Sequence, residues 1–331
     1  MISKILIIGL LFFINSLLGN SSIYLVNIGY ESPRLIAPAM ITIIPRDNHQ
    51  LFQVGVVGWS MFLKGEIGFN KNLTIGLSND ISPKNSNASI YQYKNGELDA
   101  SLNYENSTFM SQLYIKRKYE NNLTGQINCI LQKENINGLE EDILNYWDEP
   151  HFGYSVSGIY KDVEYEDFFS NHWDGKKVKV LFQFFPGDYS WMKGYIAGGF
   201  GKKYKQYQTN ISCKYFFSNN LNIVNQFIVG GVWELELLDF LPGTHYGEYR
   251  IDEGLLINAR FEKIFLKNMT LGYRIGILNY NDTFILGHGI NFLKVYHGLV
   301  FNVGTSISNS AIKNYNLNKF IFSSGITFSF M

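Results

Sequence analysis

The sequence predicts an all-β fold, an antiparallel transmembrane β-barrel of about fourteen strands within a range of roughly twelve to sixteen. Three observations predict it: long period-two alternation with one oily face, a recurring Asn-containing turn, and long polar loops between the alternating stretches. The stretch Leu255–Tyr280 is the clearest case. Leu255, Ile257, Ala259 and Phe261 share one face of its first arm, against Asn258, Arg260 and Glu262 on the other. The second arm sets Leu271, Tyr273, Ile275 and Ile277 against Thr270, Gly272, Arg274 and Gly276. Alternation on both sides of a tight turn is the pattern of an antiparallel hairpin with one side in oil and one in water.

The chain begins with Lys4, an apolar run over Ile5–Ile14, and then Leu17, Leu18, Gly19, Asn20 and paired serines. That layout predicts a signal peptide over residues 1–22 and export across an inner membrane. The run is short for a helical span of ~20 residues. A chain with no helical span enters a membrane only as a closed barrel, because lipid leaves no unpaired backbone group satisfied. Residues 23–50 hold Pro33, Pro38 and Pro45 and are expected to form an irregular lead-in or periplasmic segment. The barrel is expected over 51–331.

A motif of aromatic, any residue, Lys or Asn, Asn, Leu or Met, Thr or Asn recurs at Phe69–Thr74, Tyr119–Thr124, Phe217–Asn222 and Phe265–Thr270. Faces match across a hairpin only when opposed residues point the same way, so Phe265 should oppose Met269 across a three-residue loop. Such loops end in a residue of positive φ, a position that Asn tolerates. Asn72, Asn122, Asn220 and Asn268 occupy it. The aromatics then mark a membrane rim, where Arg117 and Lys263 can snorkel.

Leu123, Gly125, Ile127, Cys129 and Leu131 continue the odd-out register, as do Tyr207, Thr209, Ile211, Cys213 and Tyr215. The register reverses at Val178, Val180, Phe182 and Phe184, and again in the closing strand at Phe320, Phe322, Ile326, Phe328 and Phe330. Cys129 and Cys213 read as small apolar residues, and a disulfide would require their strands to be neighbours. Further turns are expected at Ser170–Gly175 and Ala311–Asn316, with Pro186–Asp188 and Gly201–Lys205 able to add another pair. Ile81–Asp99, Lys133–Pro150 and Glu234–Glu253 are expected to be long extracellular loops, the last two acidic.

This pattern resembles the Gram-negative outer-membrane β-barrel class. The closing Gly325–Phe330 is similar to the C-terminal signal read by the barrel-assembly machinery, although Met331 follows the aromatic. The resemblance implies outer-membrane lipid and that machinery as partners and the bacterial outer membrane as location. It is generic, so no activity is carried over.

Lys64, Glu66, Lys116, Lys118, Lys214, Arg260, Glu262 and Arg274 fall on the predicted lumen face. They read either as the charged lining of a polar pore or as a paired network filling a narrow barrel. The chain carries 28 basic and 28 acidic side chains, so a basic footprint for nucleic acid is absent. His288 and His297 are the candidate general bases, with Asp282 or Ser306 nearby in sequence. None has the spacing of a nucleophile motif, a zinc site or an EF-hand, so no enzyme, metal or cofactor is expected. The function expected is a porin-like passive channel or transporter for small polar solutes. The alternative is a structural or export accessory barrel for envelope or exopolysaccharide assembly.

Overall fold

The computed structural model describes residues 23–330 except 32–33, 47–49, 58–59, 95–96, 120–121, 138–149, 168–171, 189, 222–224, 231–239, 245–248, 267–268, 282, 297–298 and 310–320. The expected signal peptide lies outside the described residues, as do His297, Asp282 and Asn268. Strands run β1 Ile23–Glu31, β2 Arg34–Arg46, β3 Gln50–Val57, β4 Ser60–Asn70, β5 Leu73–Lys94 and β6 Glu97–Lys118. They continue as β7 Leu123–Asn137, β8 His151–Asp167, β9 His172–Phe185, β10 Trp191–Tyr204 and β11 Tyr207–Asn219. A short ribbon follows, β12 Phe227–Val229 and β13 Tyr249–Ile251. The remainder is β14 Gly254–Leu266, β15 Met269–Tyr280, β16 Thr283–Tyr296, β17 Leu299–Ser308 and β18 Ile321–Phe330.

All pairings are antiparallel between sequential barrel strands, and β11 pairs with β14 across the β12–β13 ribbon. β1 pairs with β18 on one side and β2 on the other, so the sheet meets itself as a barrel. Sixteen strands form it among the described residues, the top of the expected range. The extra strands come from residues 23–50, which are not an irregular lead-in. Pro38 and Pro45 misled because each sits where a strand tolerates one, and Pro33 lies outside the described residues. Pro38 lies in the β2 bulge between the pairs Asn27–Ala39 and Gly29–Ile36, and Pro45 lies one residue from the strand end.

The two-faced register holds. In β14 burial alternates strictly from Gly254 to Glu262, and the odd residues face out. β9 and β10 face out at even positions, so the link from Tyr204 to Tyr207 has two residues rather than three. Lys205 takes φ 53° there. This is the turn that joins β10 and β11. The expected turn at Phe217–Asn222 is not a hairpin, and it lies at the opposite rim. Asn220 does adopt φ 56°, but β11 runs on into the segment leading to β12 rather than folding back.

Only the β6–β7 turn follows the expected geometry; at β4–β5 and β14–β15 the closing pairs are Asn70–Leu73 and Leu266–Met269, after a bulge, rather than Phe69–Leu73 and Phe265–Met269. Tyr119 N–H donates to Leu123 O at 2.7 Å, and Asn122 takes φ 64°. At the β4–β5 turn Asn72 keeps a negative φ. Asn70 Oδ1 accepts from the N–H groups of Asn72 and Leu73 at 2.8 and 2.9 Å and folds the turn instead. At β14–β15, Leu266 pairs with Met269 and Phe265 is the bulged residue, while Arg260 pairs with Arg274 as expected. Ile81–Asp99 is not a loop. β5 and β6 stay paired out to Lys94–Glu97, because two strands that hydrogen-bond each other need no apolar face.

Outward side chains on successive strands are apolar and exposed, among them Ile67, Leu113, Ile127, Phe152, Val180 and Ile196. So continuous an apolar surface is foreign to a protein bathed in water. Phe69, Tyr119, Tyr204, Tyr207, Phe265 and Tyr296 ring the short-turn rim. Arg117 sits 5.0 Å over Tyr119, and Lys263 lies 5.7 and 5.1 Å from the Tyr207 and Phe265 rings. Cys129 and Cys213 are free, on strands that are not neighbours. Val180→Arg, at the middle of β9 on the outer face, is expected to cost about 2–4 kcal/mol in a bilayer. Urea-dependent refolding into vesicles reads this directly; an unchanged midpoint would remove Val180 from the hydrocarbon layer.

Candidate functional site

A barrel of sixteen strands is too wide for its wall side chains to fill, and in porins of that size the interior is an aqueous channel. The eight lumen candidates must therefore be placed against that interior. Glu66 on β4, Gly76 on β5 and Tyr114 on β6 form one row across three strands. A Cβ on Gly76 would come within 2.1 Å of the Tyr114 ring, so only glycine lets that ring lie across β5. Tyr114 then donates its hydroxyl to Glu66 Oε1 at 2.7 Å. Lys116 Nζ reaches both Glu66 oxygens at 3.0 and 2.9 Å, and Lys64 Nζ lies 3.0 Å from Oε1. Three donors on one carboxylate make a satisfied network on this wall. Lys118, the last residue of β6, is exposed at the rim.

On the opposite wall Arg260, Glu262 and Arg274 are all buried. Arg260 Nε stands 3.6 Å from Glu262 Oε1, and both side chains are almost fully enclosed. Arg274 pairs directly with Arg260 across β14–β15 and packs its guanidinium 5.4 Å from the Phe240 ring. Phe240 belongs to none of the barrel strands. Its burial alongside Trp173 of β9 and Arg274 of β15 places it inside the barrel, between walls separated by three strands.

Residues 240–244, between β11 and β14, thus lie in the lumen. Phe240 and Leu241 are wholly buried, and Thr244 Oγ1 donates to Leu241 O at 2.6 Å, closing a tight turn. Pro242 rests on Gly276 and Gly287, which pair directly across β15–β16. A Cβ at Gly287 would stand 1.7 Å from Pro242 O, and one at Gly276 would stand 2.9 Å from Pro242 Cδ. Gly243, at φ 76°, lies against the β17 backbone at Ile307–Ser308. Above the turn, Val229, Tyr249 and Ile251 of the ribbon share an apolar core with Tyr195, Phe216, Leu256, Leu278 and Ile285 of the walls. The buried interior that a soluble protein builds between layers is built here between a wall and an inserted segment.

For residues 240–244 and 249–251 this corrects the expectation of Glu234–Glu253 as an extracellular loop in water; 234–239 and 245–248 lie outside the described residues. The acidic residues of Glu234–Glu253 drew that reading. The contrary signal was the run Phe240-Leu241-Pro242-Gly243 inside it, together with glycines at inward positions of β15–β17. Those bare positions on the wall are a socket.

Ser306 is buried on the inner face, whereas His288 lies outward beside Tyr273, with ring centroids 6.1 Å apart. The sheet separates them, so this pair does not meet. Among the described residues no group of three or more His, Cys, Asp or Glu is placed to hold a metal ion. No described helix is long and apolar enough to cross a membrane.

No family model and no curated protein sequence matches this chain. Among solved structures it is similar to BamA from Haemophilus ducreyi lacking POTRA domains 1–3, with TM-score 0.68 and 9% identity over 94% of this chain and 71% of that one. It is similar also to CdiB from Acinetobacter baumannii, with TM-score 0.60 and 10% identity over 94% of this chain and 60% of that one. CdiB from Escherichia coli gives TM-score 0.58 and 10% identity over 94% and 63%. The chain spans less than two thirds of either CdiB. The likeness is one of fold, and the fold is that of the outer-membrane β-barrels.

Proposed function

We propose that this outer-membrane β-barrel is a gated, porin-like conduit for small polar solutes, and that residues 240–244, seated in its lumen, are its gate. One observation carries the reading: Pro242 seated on paired glycines inside a barrel wide enough to conduct. The continuous apolar outer face supports placement in lipid, and the resemblance of the closing strand to an assembly signal supports insertion by the barrel-assembly machinery. The charged networks on the two walls are held by their own partners, so they furnish a polar lining without blocking it. In planar bilayers the refolded wild type is expected to stay mostly closed, and Gly287→Leu is expected to give frequent single-channel steps. Steady, large conductance in the wild type would sink the gate. A folded but silent Gly287→Leu barrel would sink the conduit.

A second reading, an accessory barrel for export or envelope assembly, is favoured by the β5–β6 hairpin. β4 leaves β5 at Ile81 and β7 leaves β6 at Glu105, yet β5 and β6 continue to pair with each other to Lys94–Glu97. Among the described residues no other strand pairs with this outer part of the hairpin, and such an edge can accept a partner strand. Removing residues 83–103 is expected to abolish co-purification of envelope partners and leave conductance intact if that reading holds. Unchanged co-purification would count against it.

A further inference from the structure

We infer that the wall beneath Pro242 is a subsite for an uncharged, hydroxyl-bearing solute, a sugar or other polyol, built by Asn291 of β16 with Asn302 and Ser306 of β17. The inference rests on the gated-conduit reading and names its substrate class. A cavity lies there between the inserted turn and the wall, with Pro242 on one side and Asn291, Asn302, Ser306, Ser323 and Arg274 on the other. Asn291 and Ser306 are 5% and 3% exposed. Yet among the described residues neither Nδ2 nor Oδ1 of Asn291 has a hydrogen-bond partner, and Ser306 Oγ has none. Asn302 Oδ1 is buried and unpaired as well. Buried polar groups are paired almost without exception, so four unpaired atoms around one cavity call for a ligand.

Strand pairing shapes this wall. Asn291, Gly304 and Ser323 form one row across β16, β17 and β18, and Gly289 pairs with Ser306 in a neighbouring row. A Cβ on Gly304 would stand 3.1 Å from Ser323 Oγ, and one on Gly289 would stand 2.6 Å from Ser306 Cβ. Gly272 pairs with Asn291 on the β15 side, where a Cβ would stand 2.4 Å from Asn291 Oδ1. Glycines thus alternate with short polar side chains, whose tips stand over bare backbone. The ligand class follows from what each unpaired atom needs. Asn291 Oδ1 and Asn302 Oδ1 only accept, Asn291 Nδ2 only donates, and the Ser306 hydroxyl does either. An anion would turn its lone pairs toward two carboxamide oxygens, and a cation would face the Nδ2 donor and the Arg274 guanidinium. A hydroxyl group donates and accepts, so neighbouring hydroxyls on one uncharged molecule serve all four atoms.

Pro242 covers these atoms without bonding them. Its ring has no N–H to give, and its carbonyl oxygen lies over Gly287. While the turn is seated the cavity measures about 10 Å³, room for a single water or a single hydroxyl. A whole sugar ring fits only when the turn withdraws. A solute that pairs the four atoms therefore stabilises the displaced turn, and its arrival favours its own passage.

The test uses the refolded full chain in detergent, with circular dichroism to confirm that each variant keeps its β structure. Glucose, glucosamine and gluconate share a six-carbon skeleton and differ in charge in mildly acidic buffer. Each is titrated calorimetrically into the Gly287→Leu barrel, whose turn is expected to leave the wall. Glucose is expected to bind saturably and about tenfold more tightly than either charged analogue. Adding Asn291→Leu with Ser306→Ala is expected to lower glucose affinity about tenfold, and Ser306→Ala alone, which removes one oxygen, several-fold. No glucose binding, tighter binding of a charged analogue, or equal glucose binding by the variants overturns the subsite. In the otherwise wild-type chain the same double change is expected to raise the thermal transition, because it removes unpaired polar atoms beneath the seated turn. A fall would show those atoms to be paired and overturn the subsite too. Conductance is read apart. A silent Gly287→Leu barrel that binds glucose loses the conduit and keeps the subsite, whereas a conducting one that ignores glucose loses the subsite alone.

Discussion

Gly287→Leu is expected to expel the inserted segment while leaving the barrel folded. The new Cβ would stand 1.7 Å from Pro242 O and 2.8 Å from Pro242 C, which are backbone atoms that no rotamer change can move. Leucine then adds three further carbons in the same space. Release sends Phe240 and Leu241 from full burial into water, at about 1.5–3 kcal/mol for each side chain. Relief of the overlap requires it nonetheless, because the wall strands are locked by their ladders on both sides. Limited proteolysis should cut between residues 220 and 253 much faster than in the wild type, and the thermal transition should fall. Gly198→Leu is the matching control: a Cβ there meets nothing within 4 Å, and no effect on cleavage is expected. Equal cleavage of wild type and Gly287→Leu would mean that Pro242 does not depend on this socket.

Glu262→Ala is expected to be the most destabilising single change in the wall itself. Glu262 Oε1 is the carboxylate oxygen beside Arg260, whose own cross-strand partner is Arg274. Removing it leaves two buried guanidinium groups on adjacent strands, a loss of about 3–5 kcal/mol for a broken buried pair. Gly272 opposite Glu262 cannot compensate, having no side chain. Glu262→Gln keeps the shape and loses only the charge, so a smaller loss is expected. The double change Arg260→Met with Glu262→Met should recover much of the stability, because a well-packed apolar pair avoids desolvating charge. Urea titration of refolding into vesicles measures all three. A Glu262→Ala midpoint within about 1 kcal/mol of wild type would show that other partners already satisfy the arginines.

Much of the wall was legible residue by residue. Alternation alone placed Arg260 opposite Arg274, put Cys129 and Cys213 outward, and found the register reversal at Val178–Phe184. The aromatic rim was read from Phe69, Tyr119 and Phe265 for the same reason: a strand repeats every two residues, so facing direction is a local property. Turn assignment was less secure. Phe217–Asn222 carries the same letters as the true turns, and Asn220 takes the left-handed backbone that Asn122 takes. Whether the chain then folds back depends on which strand is free to receive it, and β11 is already paired with β10 and β14.

The lumen candidates divide in the same way. All eight were placed on the inner face by parity, but parity does not say what a side chain meets across a barrel. Tyr114 was missed because its role depends on Gly76, a neighbour on another strand, leaving room for its ring. Lys179 was missed because its row runs through Ala197 to Lys214, and such rows join residues up to 35 positions apart. What the sequence determined by itself was the period: two faces, one oily and one polar, and hence a barrel wall in lipid. Only the tertiary structure decided that the interior is occupied. Closure of sixteen strands creates a space that no single strand can sense, and Phe240–Thr244 finds its socket there from glycines on β15 and β16 that lie more than 30 residues away.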